Sequence, residues 1–224
     1  MQPREERVAA RRYNAPMAEP SRRLAGWSDV VAAPDGLKAE VIAGELFLMA
    51  RPIPWHGIAQ AALASQLIPR FHDADDGPGG WWIVIEPDVI LGPHDIVSPD
   101  LVGWRRQRLP ASALDRAVEM PPDWVCEVLS PSTSHRDRGS KADLYLRCGV
   151  AHSWLLDLSA RLLEAFEARE GRWVRLGAWG PEQSARIPPF DAAELRLAGL
   201  FPPQEEPAEE GSPPDHAAPG AGEP

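Results

Sequence analysis

The sequence has little of what several classes of protein require. It has two cysteines in 224 residues, Cys126 and Cys148, and their spacing matches neither a zinc site nor a disulfide framework. No apolar run approaches the ~18 residues that a membrane-spanning helix needs. The N-terminus carries arginines but lacks the apolar core of a secretory signal. We therefore expect a cytoplasmic protein with reduced thiols and no membrane partner.

Positive charge is scarce as well, and it is unevenly distributed. The formal net charge is −10. Residues 1–25 carry six arginines against three glutamates, whereas residues 202–224 carry six acidic residues and no lysine or arginine. Both segments are polar and lack hydrophobic periodicity, so we predict a disordered basic arm at 1–25, one domain at 26–201 and a disordered acidic tail at 202–224. The acidic remainder argues against a broad basic face for nucleic acid but is compatible with a metal site.

The pattern of the central region predicts a mixed α/β fold. Short apolar runs on either side of Ala43 and Gly44 predict a β-hairpin, and residues 54–71 have helical spacing. We interpret His56, in the first turn of that helix, as a solvated or capping residue. Further strands are predicted at 81–91, with an edge or bulge at Pro87, at 101–104, at 153–158 and in an antiparallel hairpin at 161–176.

The most informative stretch is residues 123–148. Its run at 124–129 is apolar on both faces, as in a buried central strand, yet it contains Glu127. A helix from about Gly139 would put Lys141 on the side of its apolar residues, facing the core. A buried carboxylate and a buried ammonium are each costly alone. We therefore predict that Glu127 and Lys141 pair.

Asp100 is a candidate partner for this pair, because it opens a strand directly after a proline. If that strand neighbours the strand of Glu127, the two carboxylates can bind a hard cation such as Mg²⁺, with the Val128 carbonyl as a third ligand. Lys141 can then stabilise negative charge on a phosphate. From spacing alone, a structural ion pair explains the residues equally well. Glu45, which follows the hairpin glycine, is expected to be exposed on that basis.

Five segments of the sequence form a set of motifs: G-E-L at 44–46, S-P-D-L at 98–101, E-V-L-S-P-S-T at 127–133, D-R-G-S-K-A-D-L-Y at 137–145 and G-V-A-H-S-W-L-L-D at 149–157. Together they resemble the motifs of the Uma2 family, which is assigned to the PD-(D/E)xK restriction-endonuclease-like superfamily. The E-V-L-S-P-S-T segment is the most specific part of the resemblance. The resemblance covers roughly residues 27–200 and implies a restriction-endonuclease-like mixed β-sheet flanked by helices, with additional antiparallel hairpins.

The resemblance implies a metal-dependent nuclease that hydrolyses phosphodiester bonds in DNA, with Mg²⁺ or Mn²⁺ as cofactor. Asp100 matches the aspartate of the P-D half-motif and Glu127 matches the (D/E) position. The lysine of the motif would fall at Leu129, so Lys141 on the following helix takes its place. The implied catalytic residues are Asp100, Glu127 and Lys141, and the implied metal ligands are Glu45, Asp100, Glu127 and the carbonyl of Val128.

The sequence departs from the family pattern at His152 and Ser153, where an acidic residue and a tyrosine are usual. Neither change removes an implied ligand. The rival interpretation is a catalytically inactive nuclease fold that binds or scaffolds, and the net acidity favours it. Members of the superfamily are often dimers, so the resemblance also allows a homodimer. We interpret Arg105, Arg106 and Arg108 as a solvated loop, with phosphate contacts as the alternative.

Overall fold

The computed structural model describes residues 23–50, 53–74, 77–131 and 133–203. The predicted basic arm and acidic tail lie almost entirely outside these residues. Within the described part of the chain, no helix is long and apolar enough to cross a membrane.

Twelve strands are assigned among the described residues, and they form three sheets. They are β1 (Leu37–Ile42), β2 (Glu45–Ala50), β3 (Trp81–Ile85), β4 (Val89–Gly92), β5 (Asp95–Val97), β6 (Leu101–Arg105), β7 (Trp124–Leu129), β8 (His152–Asp157), β9 (Leu162–Arg169), β10 (Arg172–Trp179), β11 (Ser184–Ala185) and β12 (Leu195–Arg196). The largest sheet has the order β10-β9-β8-β7-β6-β3, and a four-stranded sheet has the order β2-β1-β5-β4. The pair β11-β12 forms a small ribbon.

The six-stranded sheet is mixed, because β7 and β8 run parallel whereas its other pairs run antiparallel. The parallel pair needs a crossover, and the helical segment between its strands supplies it. That segment consists of α3 (Ser134–Arg136), a π-helical turn (Asp137–Lys141) and α4 (Ala142–Arg147). The other helices are α1 (Trp27–Val31) and α2 (Pro54–Leu67), which continues as a π-helical turn (Ile68–Asp73). Short 3₁₀ turns occur at Ala111–Asp115 and Ala198–Leu200.

All six residues of β7 are buried, as its two-faced apolar pattern predicts. One face of the sheet packs on α2 and on an aromatic cluster in which Trp124 and Trp154 lie edge to face, with ring centroids 5.1 Å apart. The other face packs under α4, where Leu144 and Tyr145 are buried against Val125. Two covered faces explain why a charged residue in β7 must find its partners inside the protein.

The predicted strand at 81–91 is wrong, because it is two strands in two different sheets. β3 ends at Ile85 and belongs to the six-stranded sheet, whereas β4 begins at Val89 in the four-stranded sheet. Between them Glu86 adopts a left-handed backbone with φ of 49°, and Pro87 has no N–H to donate to a ladder. This break leaves Glu86 beside Asp100, since the Glu86 N–H donates to the Asp100 carbonyl at 3.2 Å.

The predicted hairpin around Ala43 and Gly44 is confirmed. β1 and β2 pair antiparallel from Leu37–Ala50 to Ile42–Glu45. Both turn residues have positive φ, 50° at Ala43 and 77° at Gly44, as in the tight turns that match the twist of paired strands. The hairpin lies against the crossover segment, which brings polar residues of β1 over the end of β7.

Candidate metal centre and active site

A cavity of about 550 Å³ lies where β7 ends and the crossover segment begins. The chain has only two lysines, Lys38 and Lys141, and both line this cavity. Four carboxylates line it with them. The charged and titratable side chains of its wall are Lys38, Glu40, His56, Asp100, Glu127, Arg136, Asp137 and Lys141.

Lys141 is the centre of a buried group of carboxylates. Its side chain is 2% exposed, and its Nζ lies 2.8 Å from Glu127 Oε1 and 3.0 Å from Glu40 Oε1. Asp137, four residues earlier, is at 3.7 Å. The predicted pairing of Glu127 with Lys141 is therefore present. Lys141 reaches back from the π-helical turn to the strand, while Leu129, the position of the motif lysine, is a buried apolar residue.

Glu127 has a second donor on the same oxygen. The Tyr145 hydroxyl, one helical turn beyond Lys141, donates to Glu127 Oε1 at 2.5 Å. Lysine and tyrosine at positions i and i+4 share one face of the crossover segment, and both point at the same oxygen. The carboxylate is thus fixed in position by two buried side chains.

Asp100 directly precedes β6, and β6 neighbours β7 as predicted. Its Oδ2 accepts from the Val128 N–H at 2.7 Å and contacts His56 Nε2 at 3.1 Å. Its Oδ1 accepts from Gln60 Nε2 at 3.2 Å and from Lys38 Nζ at 3.5 Å. Because Val128 follows Glu127 in the chain, its N–H joins Asp100 directly to the strand that carries Glu127.

Burial and neighbouring negative charge raise the pKa of two carboxyl groups. Burial is the main reason that the pKa of Glu127 rises to about 7; the charges of Asp100, Asp137 and Glu40 add to it, and Lys141 opposes it. Burial also raises the pKa of Asp137, again against the charge of Lys141. A carboxyl with a pKa near neutrality in a cavity is typical of functional sites.

The other two carboxyl groups of the cavity have lowered pKa values. Burial acts to raise the pKa of Glu40, but the charges of Lys141 and Lys38 outweigh it. Burial likewise opposes the lowered pKa of Asp100, which the hydrogen bond from His56 and the charge of Lys38 produce. For Lys141 the desolvation that would lower its pKa is outweighed by the charges of Glu127 and Glu40, so the pKa is raised well above its usual value and the ammonium stays charged.

The donor set fits a divalent cation. Four carboxylates face the permanent positive charges of Lys38, Arg136 and Lys141, so one negative charge lacks a permanent counter-charge. Glu40 Oε2 is buried and accepts no hydrogen bond within the described part of the chain. The guanidinium of Arg136 lies 3.7 Å from this oxygen. A buried carboxylate oxygen without a donor is costly, and a bound cation would satisfy it.

Four of the five residues predicted for the site line this cavity: Asp100, Glu127, Val128 and Lys141. Glu45 does not line the cavity, so the structure corrects the prediction that Glu45 belongs to the site. It is exposed at the start of β2, where it pairs with Ile42 beside the turn. The glutamate of this hairpin that contacts Lys141 is Glu40. Glu40 lies in β1, opposite Phe47 and farther from the turn than Glu45.

The interpretation of His56 as a solvated or capping residue is wrong. His56 is buried, and its ring contacts Asp100. Burial acts to lower the pKa of His56, but the hydrogen bond to Asp100 and the negative charges of Asp100 and Glu86 together outweigh it, so the pKa is raised. A signal was present in the sequence, since His56, Gln60, Leu63 and Leu67 recur at the spacing of one helical face, and all four are buried.

The arginines 105, 106 and 108 lie at the opposite end of β6 from Asp100. Arg105 and Arg106 stack over Trp81 and Trp82, each with its guanidinium carbon 4.0 Å from a ring centroid. Arg108 pairs with Asp123 at 2.5 Å. They are exposed and do not line the cavity.

Comparison with known proteins identifies the family. The model of the Uma2 family, described as "putative restriction endonuclease", matches residues 27–198. The chain belongs to the Uma2 family. Its fold is similar to the crystal structure of a "putative nuclease belonging to DUF820" from Anabaena variabilis, with a TM-score of 0.63 and 18% sequence identity. The likeness covers 79% of this chain and 97% of that one. No curated protein matches this chain.

Membership in Uma2 confirms the predicted resemblance, and the neighbouring structure confirms the predicted nuclease-like α/β fold class. At 18% identity the neighbour is evidence for the fold alone. The catalytic and metal-binding roles of Asp100, Glu127, Val128 and Lys141 stay predictions.

Proposed function

We propose that this Uma2 protein is a metal-dependent nuclease that hydrolyses phosphodiester bonds in DNA, with Mg²⁺ or Mn²⁺ as cofactor. Family membership supports nuclease function in general. The observation that carries the proposal is the buried contact of Lys141 with Glu127, at 2.8 Å, near Asp100, which directly precedes the adjoining strand β6. Two carboxylates, a lysine and an open cavity are the parts that metal-assisted hydrolysis needs.

Asp100 and Glu127 would hold the metal, together with the carbonyl of Val128. Glu40 is the further carboxylate in this proposal, in the role that the sequence suggested for Glu45. Its Oε2 accepts no hydrogen bond from a described residue, so a lone pair is free for a cation. When bound, the ion would lower the pKa of a water molecule and stabilise charge on the scissile phosphate.

The side chains around these ligands hold them in position before a substrate binds. Lys141 fixes Glu127 and Glu40, and Tyr145 fixes Glu127 by a second contact with the same oxygen. Asp100 is fixed by the Val128 N–H. Lys141 also brings a positive charge to the cavity, where negative charge develops on the phosphate in the transition state. Groups that are oriented in advance need not reorganise during the reaction.

The test is cleavage of plasmid DNA and of RNA by the purified protein with Mg²⁺, with Mn²⁺ and with a chelator. We expect cleavage of DNA only with an ion present, and a loss of at least ~100-fold in Asp100→Asn and Glu127→Gln, as for removal of one preorganised charge-stabilising group. Glu45→Gln is the matched control and should keep full activity. Full cleavage by Asp100→Asn or by Lys141→Ala would end the proposal.

The same experiment tests the rival, an inactive nuclease fold that binds or scaffolds. If the wild type cleaves neither DNA nor RNA with either ion, and calorimetry detects no ion binding, the acidic cavity is a structural ion network. Preferential cleavage of RNA would keep the site and change the substrate.

A further inference from the structure

The three permanent positive charges of the cavity differ in how many partners they already have. They are the ammonium groups of Lys38 and Lys141 and the guanidinium of Arg136. A nucleic-acid substrate is a polyanion, and it is held chiefly by cations whose N–H groups can bind phosphate oxygens. The contacts of the three side chains show which of them has such groups available.

Lys141 has no N–H group available for a substrate. An ammonium has three donors, and that of Lys141 faces three carboxylates, those of Glu127 at 2.8 Å, Glu40 at 3.0 Å and Asp137 at 3.7 Å. Its side chain is 2% exposed. A phosphate would have to displace a carboxylate to contact this ammonium. Lys141 therefore acts on a substrate through its charge and through the carboxylates that it positions.

Arg136 is packed against the β1–β2 hairpin. Its guanidinium carbon lies 5.1 Å from the ring centroid of Phe47, and its Nη2 contacts Met49 Sδ. The same nitrogen lies 3.7 Å from Glu40 Oε2, and the side chain is 15% exposed. Its Nε is buried, so a phosphate cannot meet this donor while the guanidinium stays on Phe47. Arg136 belongs to the wall of the cavity.

Lys38 is the remaining cation, and most of its donors are available. Within the described part of the chain, its Nζ has one ion-pair partner, Asp100 Oδ1, at 3.5 Å, which is longer than the ~3.0 Å of a good hydrogen bond. The side chain is 23% exposed, more than that of either other cation. Two of its three N–H groups are therefore free to bind an acceptor that enters the cavity.

The fold places this ammonium beside the proposed metal ligands. Lys38 and Glu40 are two residues apart in β1, so they share one face of the strand, and both line the cavity. Asp100 receives the Val128 N–H on Oδ2 and meets Lys38 on Oδ1. Lys38 thus brings available donors to a carboxylate that the proposed function assigns to the metal.

We propose that Lys38 is the substrate-binding cation of this site. It donates to a non-bridging oxygen of the phosphate bound at Asp100, while Lys141 positions the carboxylates. The inference rests on the proposed function, which supplies the phosphate and the role of Asp100. Lys38 lies outside all five motif segments of the sequence, so the motifs do not assign it this contact. A compact ammonium on a flexible stem suits it, because such a group can turn from Asp100 to a phosphate.

The first test is protection of Lys38 from acetylation, and it uses the wild type, whose only lysines are Lys38 and Lys141. Sulfosuccinimidyl acetate should modify Lys38 and spare the buried Lys141. Peptide mass spectrometry measures the rate in the full-length protein with Ca²⁺, with and without a short DNA oligonucleotide at a concentration that saturates its fluorescence anisotropy. We expect the oligonucleotide to slow acetylation of Lys38 by at least ~10-fold, because a charge-assisted hydrogen bond holds the ammonium.

The variant Arg108→Lys supplies a matched control within the same reaction. It places a lysine at the opposite end of β6, where the arginine side chain is 43% exposed. Acetylation of this lysine should proceed at the same rate with and without the oligonucleotide. Equal protection of both lysines would show general shielding by bound DNA and would overturn the specific contact.

Steady-state cleavage of DNA with Mn²⁺ is the second test. In Lys38→Met we expect KM to rise by at least ~10-fold, the least that loss of a hydrogen bond to a charged group causes. The value of kcat should change little, because the contact is made to substrate and transition state alike. The slope of log KM against log salt concentration should fall by about one, because one phosphate contact is lost.

Two further variants show whether these effects follow the charge. Lys38→Arg keeps the positive charge and should restore KM and the salt slope. Arg108→Met removes an exposed cation from the other end of β6 and should leave both unchanged. A merely structural role of Lys38 would not move the salt slope.

The outcomes separate this inference from the proposed function. Cleavage by the wild type, with unchanged KM and salt slope in Lys38→Met, overturns the role of Lys38 and leaves the nuclease. A fall in kcat at unchanged KM also overturns it, because Lys38 would then act through Asp100. Selective protection of Lys38 without any cleavage supports the phosphate contact and contradicts the hydrolysis. Absence of protection at a saturating concentration, or of any binding, overturns the inference.

Discussion

The charged residues at the two ends of the paired strands β6 and β7 differ in burial. At one end Glu127 and Lys141 are buried in contact with each other, and Asp100 is buried nearby, where it accepts from the Val128 N–H. At the other end Arg108 and Asp123 form a pair at the surface, and the exposed side chains of Arg105 and Arg106 stack on Trp81 and Trp82. The same two strands thus carry one group of charges inside the protein and another in solvent.

This difference indicates which end has a function. Surface pairs cost little to form and contribute little, so the arginine end needs no further explanation. Buried charges cost several kcal/mol each in desolvation, and apolar residues of the same size often stabilise a protein as well or better. Three buried carboxylates around one buried lysine are therefore a poor stabilising device, and the proposed metal binding and catalysis would account for them better.

Replacement of Lys141 should give the largest effect. In Lys141→Met three carboxylates lose their shared counter-charge, and breaking a buried pair usually costs ~3–5 kcal/mol of stability. We expect a loss of this size in the free energy of unfolding at pH 8, measured with urea, together with loss of cleavage. Lys38→Met removes the other lysine of the cavity and should destabilise far less, since Lys38 reaches solvent. Equal losses in the two variants would contradict the view that burial distinguishes this end.

Two variants of the β1–β2 hairpin test which of its two glutamates belongs to the buried group of charges. Glu40→Gln removes the carboxylate at 3.0 Å from Lys141, and Glu45→Gln removes one beside the turn of the same hairpin. We expect ~100-fold slower cleavage for Glu40→Gln, the size of effect typical of one preorganised charged group, and no change for Glu45→Gln. Initial rates on plasmid DNA at saturating Mn²⁺ measure both. A reversed order would restore Glu45 as the ligand.

The pH dependence of the free energy of unfolding should show a smaller effect of the buried end, through Glu127. The pKa of Glu127 is about 7 in the folded protein, against an ordinary value of 4.5. The folded protein therefore binds this proton more tightly than the unfolded chain does, so the stabilising contribution is full below pH 4.5 and is lost as the pH rises through 7. We expect the free energy of unfolding of the wild type to fall relative to that of Glu127→Gln over this range, in chelator.

Added Mn²⁺ should reverse that trend, because a metal binds the deprotonated carboxylate. Urea titrations at pH 5, 6, 7 and 8, with chelator and with Mn²⁺, measure both dependences. If the wild type and Glu127→Gln keep a constant difference over this range in chelator, the raised pKa is refuted.

The sequence predicted the parts of the site that local pattern controls. Glu127 stands out as a carboxylate in an apolar strand, and helical spacing directs Lys141 towards it. Asp100 needed the family motif, because the neighbouring positions of β6 and β7 depend on strand order, which no local pattern specifies. Glu40 was missed for a similar reason, since only the packing of the hairpin on the crossover segment buries one of its two glutamates.

His56 and Glu86 show two further limits. A histidine in a first helical turn is usually solvated, and it is the tertiary packing of α2 on the sheet that buries this one. Glu86 lay inside a predicted strand. The structure divides that strand near Pro87, and this break, which the sequence pattern did not indicate, turns Glu86 towards Asp100. One sequence signal was overlooked: the two lysines of a chain that otherwise uses arginine both line the cavity.

The smallest expected effect belongs to the arginine end. Arg108→Ala removes an ion pair in which the arginine side chain is 43% exposed, so solvent screens most of its interaction with Asp123, and such pairs contribute at most ~1 kcal/mol. We expect urea unfolding of Arg108→Ala to match the wild type within that limit and its rate of DNA cleavage to be unchanged. A marked rise in KM for DNA with unchanged kcat would instead assign this end to phosphate binding. The substrate would then extend along the full length of β6. The arginine end would bind the substrate, and the buried end would carry out the cleavage.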